Sequence, residues 1–295
     1  MSAALAPLTV ATIAREPVPI LSRFLRWHLA QGATRIIVFL DDPADPAQMA
    51  LAGDPRVELR PCTPALWARL GIAAEARFTR RQRAAMTAAY HEATDGWVMI
   101  LDADELMWLR GRSLVEGLAG LSADTPTLRI RSAEDVALPG GAIAFRLPIA
   151  RNAVDAIYGA EAGLFRPRFG LVGHPEGKSI HRAGLPGLGL KLHWAVTGDG
   201  TPIAGPLWGH AERAYLLHYF APGYARWRHK MSWRAGAHGF AGPLKAWLAE
   251  IAQSPDPEAG YRALYDRLHS LTEAEVIALE QAGGLLRDQP LLDQG

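Results

Sequence analysis

Trp97-Val98-Met99-Ile100-Leu101-Asp102-Ala103-Asp104-Glu105 is the stretch that decides how this chain reads. An apolar run ending abruptly in acids predicts a buried parallel strand that delivers carboxylates to its carboxyl end, where open α/β sheets place their ligands. Side chains at alternate strand positions share a face, so Asp102 and Asp104 converge if the extended backbone persists through Ala103. Two uncompensated carboxylates that close repel, and a hard divalent cation, Mn2+ or Mg2+, relieves the repulsion. The competing reading is a solvated strand end, or an N-cap leading into Leu106-Met107-Trp108, because Asp favours caps and turns.

Upstream, Leu8 to Ala14 reads as a first strand, and Leu21, Phe24, Leu25 and Leu29 follow at helical spacing. Gly32 ends that helix, and Thr34 to Leu40 is a second strand. Strand, helix, strand over so short a span is a βαβ unit. A third strand, Val57 to Arg60, precedes a helix from about Arg77 to Glu92 whose apolar stripe is Phe78, Met86, Ala89 and Tyr90. Four strands with helical crossovers predict an α/β fold with a doubly wound sheet flanked by helices.

Past Pro126 the pattern changes to short apolar runs broken by Gly and Pro, as in Leu138-Pro139-Gly140-Gly141, which suits irregular acceptor-side loops or plain surface connection. From Pro243 onward it turns helical, first through Leu244, Trp247, Leu248 and Ile251, then from Leu271 to Leu286. The expected organisation is 1–125 as an α/β ligand-binding half, 126–242 as a loop-rich half of the same domain, and 243–295 as a helical segment with a loose tail.

With 295 residues the chain can hold one large α/β domain or two small ones, and a formal charge of +1 carries no global nucleic-acid signature. The N-terminus lacks the basic region of a signal peptide, no window is apolar enough for a spanning helix, and Cys62 stands alone. A cytoplasmic location is expected. The stretch Tyr224 to Arg234 would set Arg226, Lys230 and Arg234 on one helical face beside Trp227 and Met231. That face suits diphosphate, an anionic membrane surface, or simple solvation with its Trp residues in the core.

Several features coincide in order: Arg15-Glu16-Pro17 after the first strand, Asp41-Asp42-Pro43-Ala44-Asp45 after the second, Arg81-Gln82 on a helix, and Trp97 leading to Asp102-Ala103-Asp104-Glu105. Later come Gly173-His174-Pro175-Glu176-Gly177-Lys178 with Arg182, and His218-Tyr219-Phe220 followed by Lys230 and Arg234. Together these resemble glycosyltransferase family 2, in particular its family 2-like branch of bacterial cell-surface polysaccharide enzymes. Arg15 stands where that family has Asn, and the turn after the second strand lacks its Ser and Gly. The resemblance implies a GT-A type fold and transfer of a sugar, with inversion, from a nucleotide-diphosphate donor to a glycan, lipid-linked or protein acceptor. It implies Asp41 or Asp42 near the nucleoside, Asp102 near the ribose and, with Asp104, near the metal, and His218 completing the metal shell, unless that His is an ordinary core residue. Glu16, Arg81, Gln82, Lys178 and Lys230 complete the expected donor contacts, and peripheral attachment at the membrane's inner face is a further expectation.

The chemistry is consistent with that resemblance. Breaking a sugar–phosphate bond passes through an oxocarbenium-like state while the diphosphate departs with growing negative charge, which a Lewis acid can meet. Inversion needs a carboxylate base, for which Glu134 and Asp135 are the candidates, with Glu105 and Glu176 as rivals. A nucleotidyl- or phosphotransferase on a similar sheet and a non-catalytic glycan- or membrane-binding module are the alternatives.

Overall fold

The computed structural model describes residues 5–220, 223–234, 242–288 and 290. The chain lays down β1 (Leu8–Ala14), α1 (Val18–Ala30), β2 (Arg35–Leu40), α2 (Ala47–Ala50), β3 (Val57–Pro61), α3 (Pro64–Arg69) and α4 (Phe78–Glu92). It continues through β4 (Trp97–Ile100), β5 (Glu105–Leu109), α5 (Leu114–Ala119), β6 (Thr127–Ile130), β7 (Ser132–Ala137), β8 (Ile143–Arg146), α6 (Arg151–Tyr158) and α7 (Ala162–Phe165). Then follow β9 (Lys178–Arg182), β10 (Gly189–Leu190), β11 (Ala195–Val196), β12 (Leu207–Trp208) and β13 (Ala214–His218). The C-terminal elements are α8 (Tyr224–Arg234), α9 (Gly242–Ala252), α10 (Pro257–His269), α11 (Glu273–Gln281) and β14 (Leu285–Leu286). One compact unit comprises the described chain up to Arg131 and again Glu176–Leu216; the second comprises Ser132–Pro175 and the chain from Leu217.

The first unit is built on a seven-stranded sheet in the order β12-β6-β9-β4-β1-β2-β3. β1 to β4 are mutually parallel, and β9 runs antiparallel between β4 and β6. The chain is therefore a mixed α/β protein with a large sheet flanked by helices, the class its sequence predicts. β1 is apolar because it lies between β2 and β4, with all seven residues buried. Ala11, Ile13, Ile37, Phe39, Val98 and Ile100 pack with Ala85, Met86 and Ala89 of α4, each large apolar side chain contributing about 1.5–3 kcal/mol when fully buried. α1 buries Leu21, Phe24 and Leu25, and its Trp27 donates Nε1–H to the Met107 carbonyl of β5 at 2.8 Å.

Three local expectations change. The strand predicted over Trp97 to Leu101 ends at Ile100, so the extended geometry that would align Asp102 with Asp104 does not persist through Ala103, and Asp102 to Glu105 forms a turn in which the Glu105 amide donates to the Asp102 carbonyl at 3.0 Å. Phe78 and Trp247, assigned to apolar stripes, are exposed. The stretch predicted to be helical from Leu271 to Leu286 is α11 followed by β14, with Gly283 at φ +65° in the break.

In the second unit β8 pairs antiparallel with both β7 and β14. Its core gathers Val154 and Phe165 with Trp227 and Met231 of α8 and with Leu264, Leu268, Val276 and Leu279 of the helices that follow. Among the described residues, no helix is long and apolar enough to cross a membrane.

Candidate functional site

The carboxyl ends of the parallel strands in the first unit carry the expected acids. The Asp41 amide donates to the Ala14 carbonyl at 3.0 Å, which ties the ends of β1 and β2 together. Arg81 of α4 donates to Asp41 Oδ2 at 2.8 Å and to the Ala74 carbonyl at 2.9 Å, so the carboxylate is held in place. Its other oxygen, Oδ1, is buried and has no hydrogen-bond partner among the described residues. Burial raises the Asp41 carboxyl above its ordinary range, against the pull of Arg81 and Arg15. The thiol of Cys62, at the end of β3, is pushed up to about 12 by burial and then by the neighbouring Asp41. Asp42 is more open: its Oδ1 accepts from the Ala44 amide at 2.9 Å, and Arg15 lies 3.7 Å from its Oδ2. Glu16 is half-buried where β1 leads into α1.

A second cluster forms where β9 lies against β4. The antiparallel register pairs Met99 with Ile180, which sets Lys178 beside the chain as it leaves β4. Lys178 Nζ donates to Asp102 Oδ2 at 3.0 Å and lies 3.2 Å from Glu105 Oε2, while Gln82 of α4 donates to Asp102 Oδ1 at 2.8 Å. The Lys178 side chain is 3% exposed and that of Asp102 42%, so a buried ammonium supports a carboxylate that faces solvent. Against the opposing effect of its own burial, Asp102 and Glu105 raise Lys178 above the usual lysine value, keeping it charged. Burial pushes Glu105 up to about 8 despite the ammonium; Oε2 of this side chain also accepts from the Asp102 amide at 2.8 Å. Asp104 is buried in the turn.

The acids are therefore not uncompensated, as the sequence reading supposed: Lys178 answers them, and the turn at Ala103 replaces the extended geometry that would have aligned Asp102 with Asp104. Both oxygens of Asp102 are engaged, and no group of three or more His, Cys, Asp or Glu among the described residues could hold a metal. Glu176, just before β9, pairs with Arg129 at 3.1 Å, its side chain 44% exposed. Arg129 is absent from the sequence-derived set; its one visible signal is a lone cation inside the apolar run Thr127-Leu128-Arg129-Ile130.

The remaining candidates lie in the second unit. Glu134 is buried, accepts from the Val172 amide at 2.7 Å and from the Gly173 amide, and has Arg146 at 3.8 Å. Asp135, also buried, accepts from the Phe220 amide at 3.0 Å. Both carboxylates expected to serve as base thus hold backbone in place. His218 makes an edge contact with Phe220, ring centroids 5.4 Å apart. Lys230 is buried and donates to the Phe220 carbonyl at 2.8 Å, while Trp227 and Met231 face the core, so Lys230 is not on a solvated face. The side chain of Arg234 lies outside the described residues.

No protein-family profile and no curated protein matches the chain. Among solved structures, the mannosyltransferase PcManGT from Pyrobaculum calidifontis, in complex with GDP-Man and Mn2+, is 14% identical, with 95% of this chain and 74% of that chain covered and a TM-score of 0.37. A likeness that loose carries no functional argument.

Proposed function

We propose that this chain is a glycosyltransferase of the family 2-like kind, moving a sugar with inversion from a nucleotide-diphosphate donor to a glycan, lipid-linked or protein acceptor. One observation carries the reading: adjacent residues of α4, Arg81 and Gln82, hold two carboxylates, Asp41 and Asp102, at the carboxyl ends of β2 and β4. That is where an open α/β sheet receives a nucleotide. The buried oxygen of Asp41 is an acceptor awaiting a donor, and the N–H groups of a nucleobase supply donors of the right kind. The half-exposed Asp102 suits the ribose hydroxyls and, only through a divalent ion, the diphosphate of the donor. The donor is taken as its Mg2+ or Mn2+ complex, since such ions commonly bind through one or two carboxylates plus substrate phosphates. Bound there, the ion would offset the charge of the departing diphosphate.

A base must reach the acceptor hydroxyl, directly or through one water. Glu134, Asp135 and Glu105 are all buried, whereas Glu176 is open and two residues from Lys178, so we assign the base to Glu176. Cytoplasmic polysaccharide assembly is the proposed setting. The test is release of nucleoside diphosphate from a panel of nucleotide-sugars. One donor should turn over, and Glu176→Gln should lower kcat by about 100-fold or more with little change in the donor KM. Release of nucleoside monophosphate instead would support a phosphotransferase.

A further inference from the structure

The first unit holds a groove of about 670 Å³ lined by residues of α3, α4 and β10 and by Lys191 just beyond β10. On α4 the lining residues are Arg80, Arg83, Ala84, Thr87, Ala88 and His91, one face of the helix by their spacing. Gln82 lies about 160° around the helix from Arg80, so the groove opens on a different face from the cluster at Asp102.

We infer that this groove binds an extended acidic oligosaccharide. Arg69, Arg80, Arg83 and Lys191 are exposed, and none has a carboxylate partner among the described residues. No Asp or Glu lines the groove. Four unanswered cations around one concavity repel each other and focus a positive potential into it, although the chain as a whole carries only +1. An anion relieves that repulsion. The groove runs about 16 Å along α4 from Arg80 to His91, room for several sugar rings, and its four cations call for more than one negative charge. The walls between the cations are apolar, with Ile72, Ala84, Leu190 and Val196, and so suit the C–H faces of sugar rings. No Phe, Tyr or Trp lines the groove, and such aromatic platforms are what single-stranded nucleic acids stack upon. The volume falls within the usual range of ligand clefts, and a concave site fits a chain better than a flat bilayer. The inference needs only this groove and stands whether or not the transfer reaction is as proposed.

The test is fluorescence anisotropy with labelled hexagalacturonate at about 0.15 M salt, where long-range surface attraction is screened. The unaltered protein should bind it, a neutral malto-oligosaccharide of equal length should bind far less, and oligo-dT should compete poorly. Replacing Arg80, Arg83 and Lys191 together by Gln should weaken binding at least about tenfold and flatten its salt dependence. All three side chains are exposed, so the melting temperature should hold; if it does not, Arg83→Gln alone is measured and should weaken binding several-fold. Arg56→Gln, an exposed arginine already paired with Asp54, should leave binding unchanged. The inference is overturned by no binding to the unaltered protein, by equal binding after the groove is neutralised, by equal binding of the neutral sugar, by tighter binding of oligo-dT, or by an equal loss in Arg56→Gln.

Discussion

Lys178 shows how a single residue can change the meaning of a motif. The acids at 102, 104 and 105 invite a cation, and the chain supplies one itself: an ammonium 3.0 Å from Asp102 and 3.2 Å from Glu105. Removing one partner of a buried ion pair strands the other, at a cost of about 3–5 kcal/mol, whereas removing both together costs far less. The Asp102 side chain is 42% exposed, so water answers part of its charge once the ammonium is gone; Lys178→Met should lower stability by about 1–2 kcal/mol, and Lys178→Met with Glu105→Gln should recover part of the loss. A double-mutant cycle in urea measures the coupling. If Lys178→Met stays within about 0.5 kcal/mol of the parent, the ammonium is not holding the cluster together. The sequence shows the acids plainly because they interrupt an apolar run. It does not show their partner, which lies 76 residues away from Asp102 and meets it through strand pairing.

At the scale of elements, β1, α1, β2, α4 and β4 were legible because each buries a continuous apolar run or a helical stripe whose period is local. β9 was not. Its residues Lys178 to Arg182 look polar, yet four of its five positions are buried because it is inserted antiparallel between β4 and β6. Such pairing is a tertiary fact and leaves little trace in periodicity. Its one local signal is Gly177, which has φ +71° and would place a Cβ 1.7 Å from the Ile130 carbonyl oxygen. Any side chain there must push β6 and β9 apart. Gly177→Ala should destabilise by about 2 kcal/mol or more, from left-handed strain plus the clash, and should also weaken nucleotide binding by displacing Lys178. Circular dichroism during a urea titration reads the first effect; a variant as stable as the parent would mean that β9 tolerates a shift the packing forbids.

For the whole molecule, three histidines are buried away from the proposed chemistry and set its response to acid. Burial lowers His28 to about 3, His181 to about 4 and His269 to about 3. Their unfolded-state value is near 6.5, so the unfolded chain takes up protons first as pH falls. Stability is then full above pH 6.5 and drops below it, by about 1.4 kcal/mol per pH unit for each ring and about 4 for the three, down to pH 4. Urea midpoints should fall clearly between pH 7 and pH 5.5; constant midpoints would mean that these rings are not held neutral. At this scale the sequence revealed the α/β class and the order of acids along the sheet. It did not reveal that the described chain leaves one compact unit at Ser132 and returns to it at Glu176, since no local period records where a chain comes back. The claim that binds these scales together is that the carboxyl ends of β1, β2 and β4 receive a nucleotide diphosphate. Calorimetric titration of UDP and GDP with Mn2+ into the unaltered protein and Asp41→Ala measures it directly. At least one diphosphate should bind with a micromolar Kd and lose tenfold or more, about 1.4 kcal/mol, when Asp41 is removed; no binding of either at millimolar concentration, or an affinity indifferent to Asp41, would contradict it.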